Sequence, residues 1–144
     1  MRNLLVACLL LFFPINVFSA IKTWDGGGAT NNWSEAANWS DNTVPGVADQ
    51  AVFDGTSTKN ATIDVNVSVS DFQINTGYTG TISRGSSNLS IGSGGYSQAA
   101  GTVTGGGGTI DIDGPFELTG GTFTGSAWSM ADVTITRTAV KPAL

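Results

Sequence analysis

From Ile63 to Val69 apolar and polar residues alternate strictly: Ile63, Val65, Val67 and Val69 against Asp64, Asn66 and Ser68. Period two with β-branched residues on one side predicts a strand with one buried face. The phase slips at Ser70-Asp71 and resumes with Phe72 and Ile74, which predicts a corner or bulge. Three short apolar elements then return in the same order. Val67/Val69 recurs as Leu89/Ile91, Ile110/Ile112 and Val133/Ile135. Phe72/Ile74 recurs as Tyr96/Gln98 and Phe116/Leu118, and Gly80-Thr81-Ile82-Ser83 as Gly101-Thr102-Val103-Thr104 and Gly121-Thr122-Phe123-Thr124.

Three strands per period of about 21 residues, with Gly, Asn, Asp or Ser between them, predict a parallel β-helix. Inward positions of successive coils should stack like on like. Gln98 breaks that rule and needs a buried partner. An antiparallel β-sandwich with tight hairpins accounts equally well for Gly94-Gly95 and Gly105 to Gly108, but not for the fixed order of elements. The visible coils amount to a column of about 17 Å at about 4.8 Å each. Nothing in residues 137–144 reads as a plug for its far end, so self-association through that coil is an expectation.

The segment before the repeat is organised around tryptophan. It reads Trp24-Asp25-Gly26, Trp33, Asn38-Trp39, Pro45-Gly46 and Asp49-Gln50-Ala51-Val52-Phe53, with a turn expected at Pro45-Gly46 and the first short strand at Ala51-Val52-Phe53. Indoles in a loop-rich segment must be buried or bound. One reading folds them over the first coil as a cap, with Asn38 and Asp49 tying the loops through their side chains. The other makes Trp33 and Trp39 a platform for sugar rings. The spacing Trp24-x-Gly26, Trp33-x-x-x-x-Asn38-Trp39, Pro45-x-x-x-Asp49-x-Ala51-x-Phe53 resembles the start of large bacterial surface passengers, the autotransporter-type proteins with passenger-associated β-strand repeats. The resemblance implies an all-β, right-handed parallel β-helix displayed at the cell surface and linked to adhesion. Such passengers run to hundreds of residues and end in a membrane barrel or sorting signal, so this chain is expected to be the N-terminal part of something longer.

The amino terminus reads as an export signal. Arg2 precedes an apolar run from Leu4 to Phe13, too short to span a bilayer, and small residues follow at Ser19 and Ala20, either of which can precede the cleavage point. The expected organisation is residues 1–20 signal, 21–61 cap and connector, 62–136 solenoid and 137–144 tail, secreted or at the cell surface. The membrane would enter only through the signal. Without that signal there are five basic against eleven acidic residues, a charge of −6. With no basic stripe, nucleic acid is not an expected partner.

The only cysteine, Cys8, lies in the signal, and there is no histidine. That excludes disulfides in the mature chain, His-based triads and the common zinc sites. The carboxylates Asp111, Asp113 and Glu117 read as solvated strand and turn polars rather than a calcium or acid–base site, because no basic residue stands near them in sequence. No catalytic residue, cofactor or metal site is assigned.

Two outward columns are expected on one face, Thr81/Thr102/Thr122 and Ser83/Thr104/Thr124. Hydroxyls about 7 Å apart along a strand and about 4.8 Å between coils resemble the rungs of insect-type ice-binding solenoids. Threonine is also simply favoured in strands. The candidate ligand-binding residues are therefore Trp33, Trp39, Thr102, Thr104, Thr122 and Thr124. Five Asn-x-Ser/Thr sequons, at Asn32, Asn38, Asn60, Asn66 and Asn88, are accounted for by the abundance of these residues. The leading functional expectation is a non-catalytic structural or adhesive module meeting surface glycans or host and matrix components. The alternatives are a carbohydrate-binding or polysaccharide-degrading β-helix and, as a minor one, ice binding.

Overall fold

In the computed structural model the described residues are 19–124 together with the strand at 128–130. They form a parallel β-solenoid of about four coils with three faces. The first face stacks β1 (Ile21–Thr23), β2 (Gln50–Phe53), the second half of β4 (Val67–Ile74), the second half of β6 (Leu89–Gln98) and β9 (Phe116–Leu118). The second stacks β3 (Ala61–Thr62), β5 (Thr81–Ser83), β7 (Thr102–Thr104) and β10 (Thr122–Thr124). The third stacks the first halves of β4 and β6, then β8 (Ile110–Ile112) and β11 (Trp128–Met130). All of these strand pairs are parallel, which removes the antiparallel sandwich. The only helical element among the described residues is a 3-10 turn at Ala36–Asn38.

The ladders follow the sequence repeat closely. Val67, Val69, Phe72 and Ile74 lie opposite Leu89, Ile91, Tyr96 and Gln98, with the register shift falling between Val69 and Asp71 as the broken alternation predicts. Thr81, Thr102 and Thr122 are in register, as are Ser83, Thr104 and Thr124. Inward residues form columns through the core: Ala51/Phe72/Tyr96/Phe116, Ala61/Ile82/Val103 and Val69/Ile91/Ile112. The rings of Phe53, Phe72, Tyr96 and Phe116 stack successively with centroids 5.2–5.7 Å apart. Successive coils are thus joined by aromatic faces as well as by backbone hydrogen bonds.

Three expectations are corrected. Residues 63–69 are not one continuous strand: β3 ends at Thr62, β4 begins at Val67, and the coil turns between them. Val65 sits at that corner, 42% exposed between exposed Asp64 and Asn66, so the inward alternation is interrupted there although the sequence pattern runs on. The fourth rung of the third face is Trp128–Met130, paired with Ile110–Ile112, and not Val133/Ile135, which lie outside the described residues, as do the signal segment 1–18 and the tail 137–144. The first strand is Ile21–Thr23 rather than Ala51–Phe53. Both β1 and β2 already belong to the solenoid sheet, so the core runs without a break through the Trp-rich segment.

Gln98 is buried, and its partners satisfy it. Tyr96 Oη donates to its Oε1 at 2.6 Å, while its Nε2 donates to the carbonyls of Ala100, Gly101 and Thr122 at 3.0–3.3 Å. The register was therefore right and the amide spans two coils. Asparagines do similar work at the corners. The carboxamide oxygens of Asn60, Asn66 and Asn88 accept the N–H of Thr81, Asn88 and Thr109 in the next coil at 2.8–3.0 Å. Three of the sequons thereby acquire a structural origin: each is an outward Asn, an inward apolar residue and an outward Ser or Thr.

Arg84 is the exception in the interior. It follows Ser83 on the second face, in the column of Ile63 and Gly105, and is 0% exposed. Its Nη1 donates to the carbonyls of Ser87 and Thr109, yet Nε and Nη2 are buried without a hydrogen-bond partner. Burial pulls its pKa below the ordinary arginine value, with no carboxylate contributing. A buried charge without a counter-charge is costly. Arg84→Met is therefore expected to raise stability by about 1–3 kcal/mol, read as a higher urea midpoint at unchanged m-value.

Candidate functional site: the aromatic cap and the threonine face

The cap is built from the loop between β1 and β2. Trp24, Trp33 and Trp39 are all fully buried and pack edge-to-face, with centroids 5.3 Å apart for Trp24/Trp39 and 4.5 Å for Trp33/Trp39. Phe53 touches all three, and Trp33 stacks on Phe72 at 5.9 Å. The indole N–H groups of Trp24 and Trp39 are satisfied: Trp24 Nε1 donates to Lys59 O at 3.1 Å and Trp39 Nε1 to Trp33 O at 2.9 Å. The loop also shields the outer edge of β1, where Ser40 N donates to Thr23 O and Trp24 pairs antiparallel with Trp39. Lys22 points into the base of the first inward column and is tied to Asp41 and Thr43.

Asn38 is the hub of the cap loop. Fully buried, it donates from Nδ2 to the carbonyls of Thr30 and Asn32 and accepts Gly28 N–H at 3.0 Å. Asp49, the other predicted tie, accepts Ala20 N–H and Gly46 N–H. Lys59 and Glu35 carry roles that no sequence pattern announces. Lys59 lies in the polar connector, yet its backbone oxygen accepts from Trp24 and from Tyr78 Oη, and its ammonium donates to the carbonyls of Gly26 and Gly28 at 2.9 and 2.7 Å. It is the only lysine between Lys22 and Lys141. Gly26 has φ +66°, and a Cβ there would meet the Lys59 side chain at 2.7 Å, which explains the Trp-x-Gly start.

Glu35 closes the 28–35 loop. Its carboxylate accepts Thr30 Oγ1–H, Thr30 N–H and Ala29 N–H, and these bonds hold its pKa below the usual 4.5. The folded chain prefers the ionised form, so Glu35 contributes stability that is present above the unfolded-state pKa and is lost as pH falls through the lower folded value. Acid titration followed by tryptophan fluorescence should show part of the loss of cap stability below pH 4.5, and Glu35→Gln should flatten that part.

The six candidate ligand-binding residues fall into two separate groups. Trp33 and Trp39 lie inside the cap and present no face to solvent. Thr102, Thr104, Thr122 and Thr124 are assembled on the second face as expected. That face is longer than the sequence repeat suggested: Asn60 precedes Thr81 in the first column and Thr62 precedes Ser83 in the second. The second column is bonded along its own axis. Thr104 Oγ1 donates to Ser83 Oγ at 3.3 Å, and Thr124 Oγ1 to Val103 O at 3.3 Å. Asp111 and Asp113 are exposed on either side of buried Ile112, and Glu117 is exposed on β9. Among the described residues no group of three or more acidic, Cys or His side chains is placed to hold a metal ion, and no helix is long and apolar enough to cross a membrane.

Comparison with protein-family profiles, curated proteins and solved structures gives no significant match.

Proposed function

We propose that this chain is a secreted or surface-displayed β-solenoid of the passenger type with an aromatic cap on its first coil, serving as a non-catalytic structural or adhesive module. The observation that carries the reading is the aromatic closure of the first coil of a regular parallel solenoid. Three indoles and Phe53 close the column and the loop shields the edge of β1. A column closed in this way does not offer its first edge strand to other chains, which suits a module exposed outside the cell. Protease shaving of intact producing cells, followed by detection of the segment around Trp24–Phe53, tests the address. Release from the surface or recovery in the medium is expected. A cytoplasmic protein retaining Met1 and Arg2 would overturn the reading.

One observation favours a second reading, recognition of a regular surface such as ice. The hydroxyls of Thr81/Thr102/Thr122 and Ser83/Thr104/Thr124 are in register on one face. Thermal hysteresis that disappears in Thr102→Lys would support it. Ordinary ice growth at millimolar protein would end it.

A further inference from the structure

The Arg84 guanidinium is anchored on one side and unpaired on the other. Its Nη1 donates to Ser87 O at 2.8 Å in its own coil and to Thr109 O at 3.2 Å in the next. Nε and Nη2 are closed to solvent and have no hydrogen-bond partner. These two atoms are adjacent. Nε–H and one N–H of Nη2 leave the same edge of the planar group side by side, and that edge is the fork that grips an anion through two parallel bonds. The anchored Nη1 fixes the plane, so the fork has one direction in the fold. No acidic side chain offsets the charge.

The surroundings are mostly backbone. The corner reads Arg84-Gly85-Ser86-Ser87, and the matching corner of the next coil reads Gly105-Gly106-Gly107-Gly108. A Cβ at Gly106 would lie 1.7 Å from Gly85 O, and one at Gly108 would lie 2.3 Å from Ser87 O, so the two corners pack main chain on main chain. Gly85 and Ser86, next to Arg84, are exposed, and a Cβ at Gly85 or Gly107 would meet nothing within 4 Å. The guanidinium therefore lies just beneath the surface, under a corner with little bulk. Among the described residues no pocket opens beside it, so whatever reaches the fork is small and enters as that corner shifts.

We infer that the Arg84 fork binds one small monovalent anion, of the size of chloride or formate, beneath the 105–108 glycine corner. Chloride meets both N–H groups at once, and formate places one oxygen on each. The anion supplies the counter-charge that a buried guanidinium requires. Because the unfolded chain has no such site, binding stabilises the fold in proportion to occupancy. The stability of these coils then depends on the salt around the protein.

The test is urea unfolding of the full chain, since urea adds no ions. Sodium chloride or sodium formate is varied at constant ionic strength against the sodium salt of a bulky sulfonate. Once the site fills, the folding constant of the wild type should rise about tenfold for each tenfold rise in the small anion. Arg84→Met should not respond, so its expected lead over the wild type should shrink as the anion is added. Arg84→Lys keeps the charge and lacks the fork, and its response should be weak. In crystals grown with bromide, anomalous scattering should place the ion on the Nε/Nη2 edge. A wild type that does not respond overturns the inference. So do equal responses in wild type and Arg84→Met, which mark a general salt effect, and a full response in Arg84→Lys, which marks attraction by charge without the fork.

Discussion

Trp39→Ala is expected to destabilise the protein by about 4 kcal/mol, a large share of the roughly 5–15 kcal/mol that holds a domain of this kind together. Trp39 is 0% exposed and meets Trp24, Trp33 and Phe53 edge-to-face, so its removal leaves a cavity at the meeting point of four rings. It also strips the Trp33 carbonyl of its indole donor. Urea unfolding followed by far-UV circular dichroism measures the cost, with Val47→Ser as control, since Val47 is 75% exposed. The same variant separates the two readings of the tryptophans. A Trp39→Ala protein of unchanged stability that merely loses a glycan would restore the sugar platform; a large drop in the urea midpoint is the outcome that the buried geometry requires.

Gly95→Ala is the second large effect, expected to cost between about 2 and 5 kcal/mol. Gly95 has φ +87°, a left-handed conformation that a Cβ penalises. A Cβ built there would also lie 2.2 Å from Pro115 O, the carbonyl that accepts Tyr96 N–H at 2.8 Å. Strain and clash therefore act on the same ladder bond, between the third and fourth rings of the aromatic stack, Tyr96 and Phe116. Gly107→Ala, where a Cβ meets nothing within 4 Å, should be close to neutral. Urea midpoints of the two variants, measured side by side, decide the point, and equal midpoints would show that the corner can relax.

Most of the solenoid was legible because its information is periodic. The recurrence of Val67/Val69 as Leu89/Ile91 and Ile110/Ile112 fixed the third face, and the Gly-Thr-x-Thr element fixed the second. The slip at Ser70-Asp71 marked the bulge. Reading failed where a residue's neighbours lie elsewhere in the chain. Val65 fits the alternation but stands on a corner, and Ile21–Thr23 is too short to show a period. The fourth rung was misplaced because Trp128–Met130 follows Ile110–Ile112 after a shorter interval than the others. In the cap, tryptophan burial could be argued from residue type. The part played by Lys59 could not, because it depends on two glycine carbonyls and a carboxamide that only folding brings together.

The similar offset between paired strands from β2 to β10 bears on how the chain acquires its structure. Thr81 pairs with Thr102 and Val67 with Leu89, so these rungs close loops of nearly the same length, whereas the first, Ile21 with Gln50, closes the longer cap loop. The entropic toll of closure depends on that length and not on how much has already formed. Assembly should therefore resemble linear polymerisation, slow to start and then adding one coil at a time at similar cost. The ring cluster at Trp24, Trp33, Trp39 and Phe53 has the densest set of aromatic contacts in the described chain, which makes it the natural nucleus and gives growth a direction, from the amino-terminal end outward.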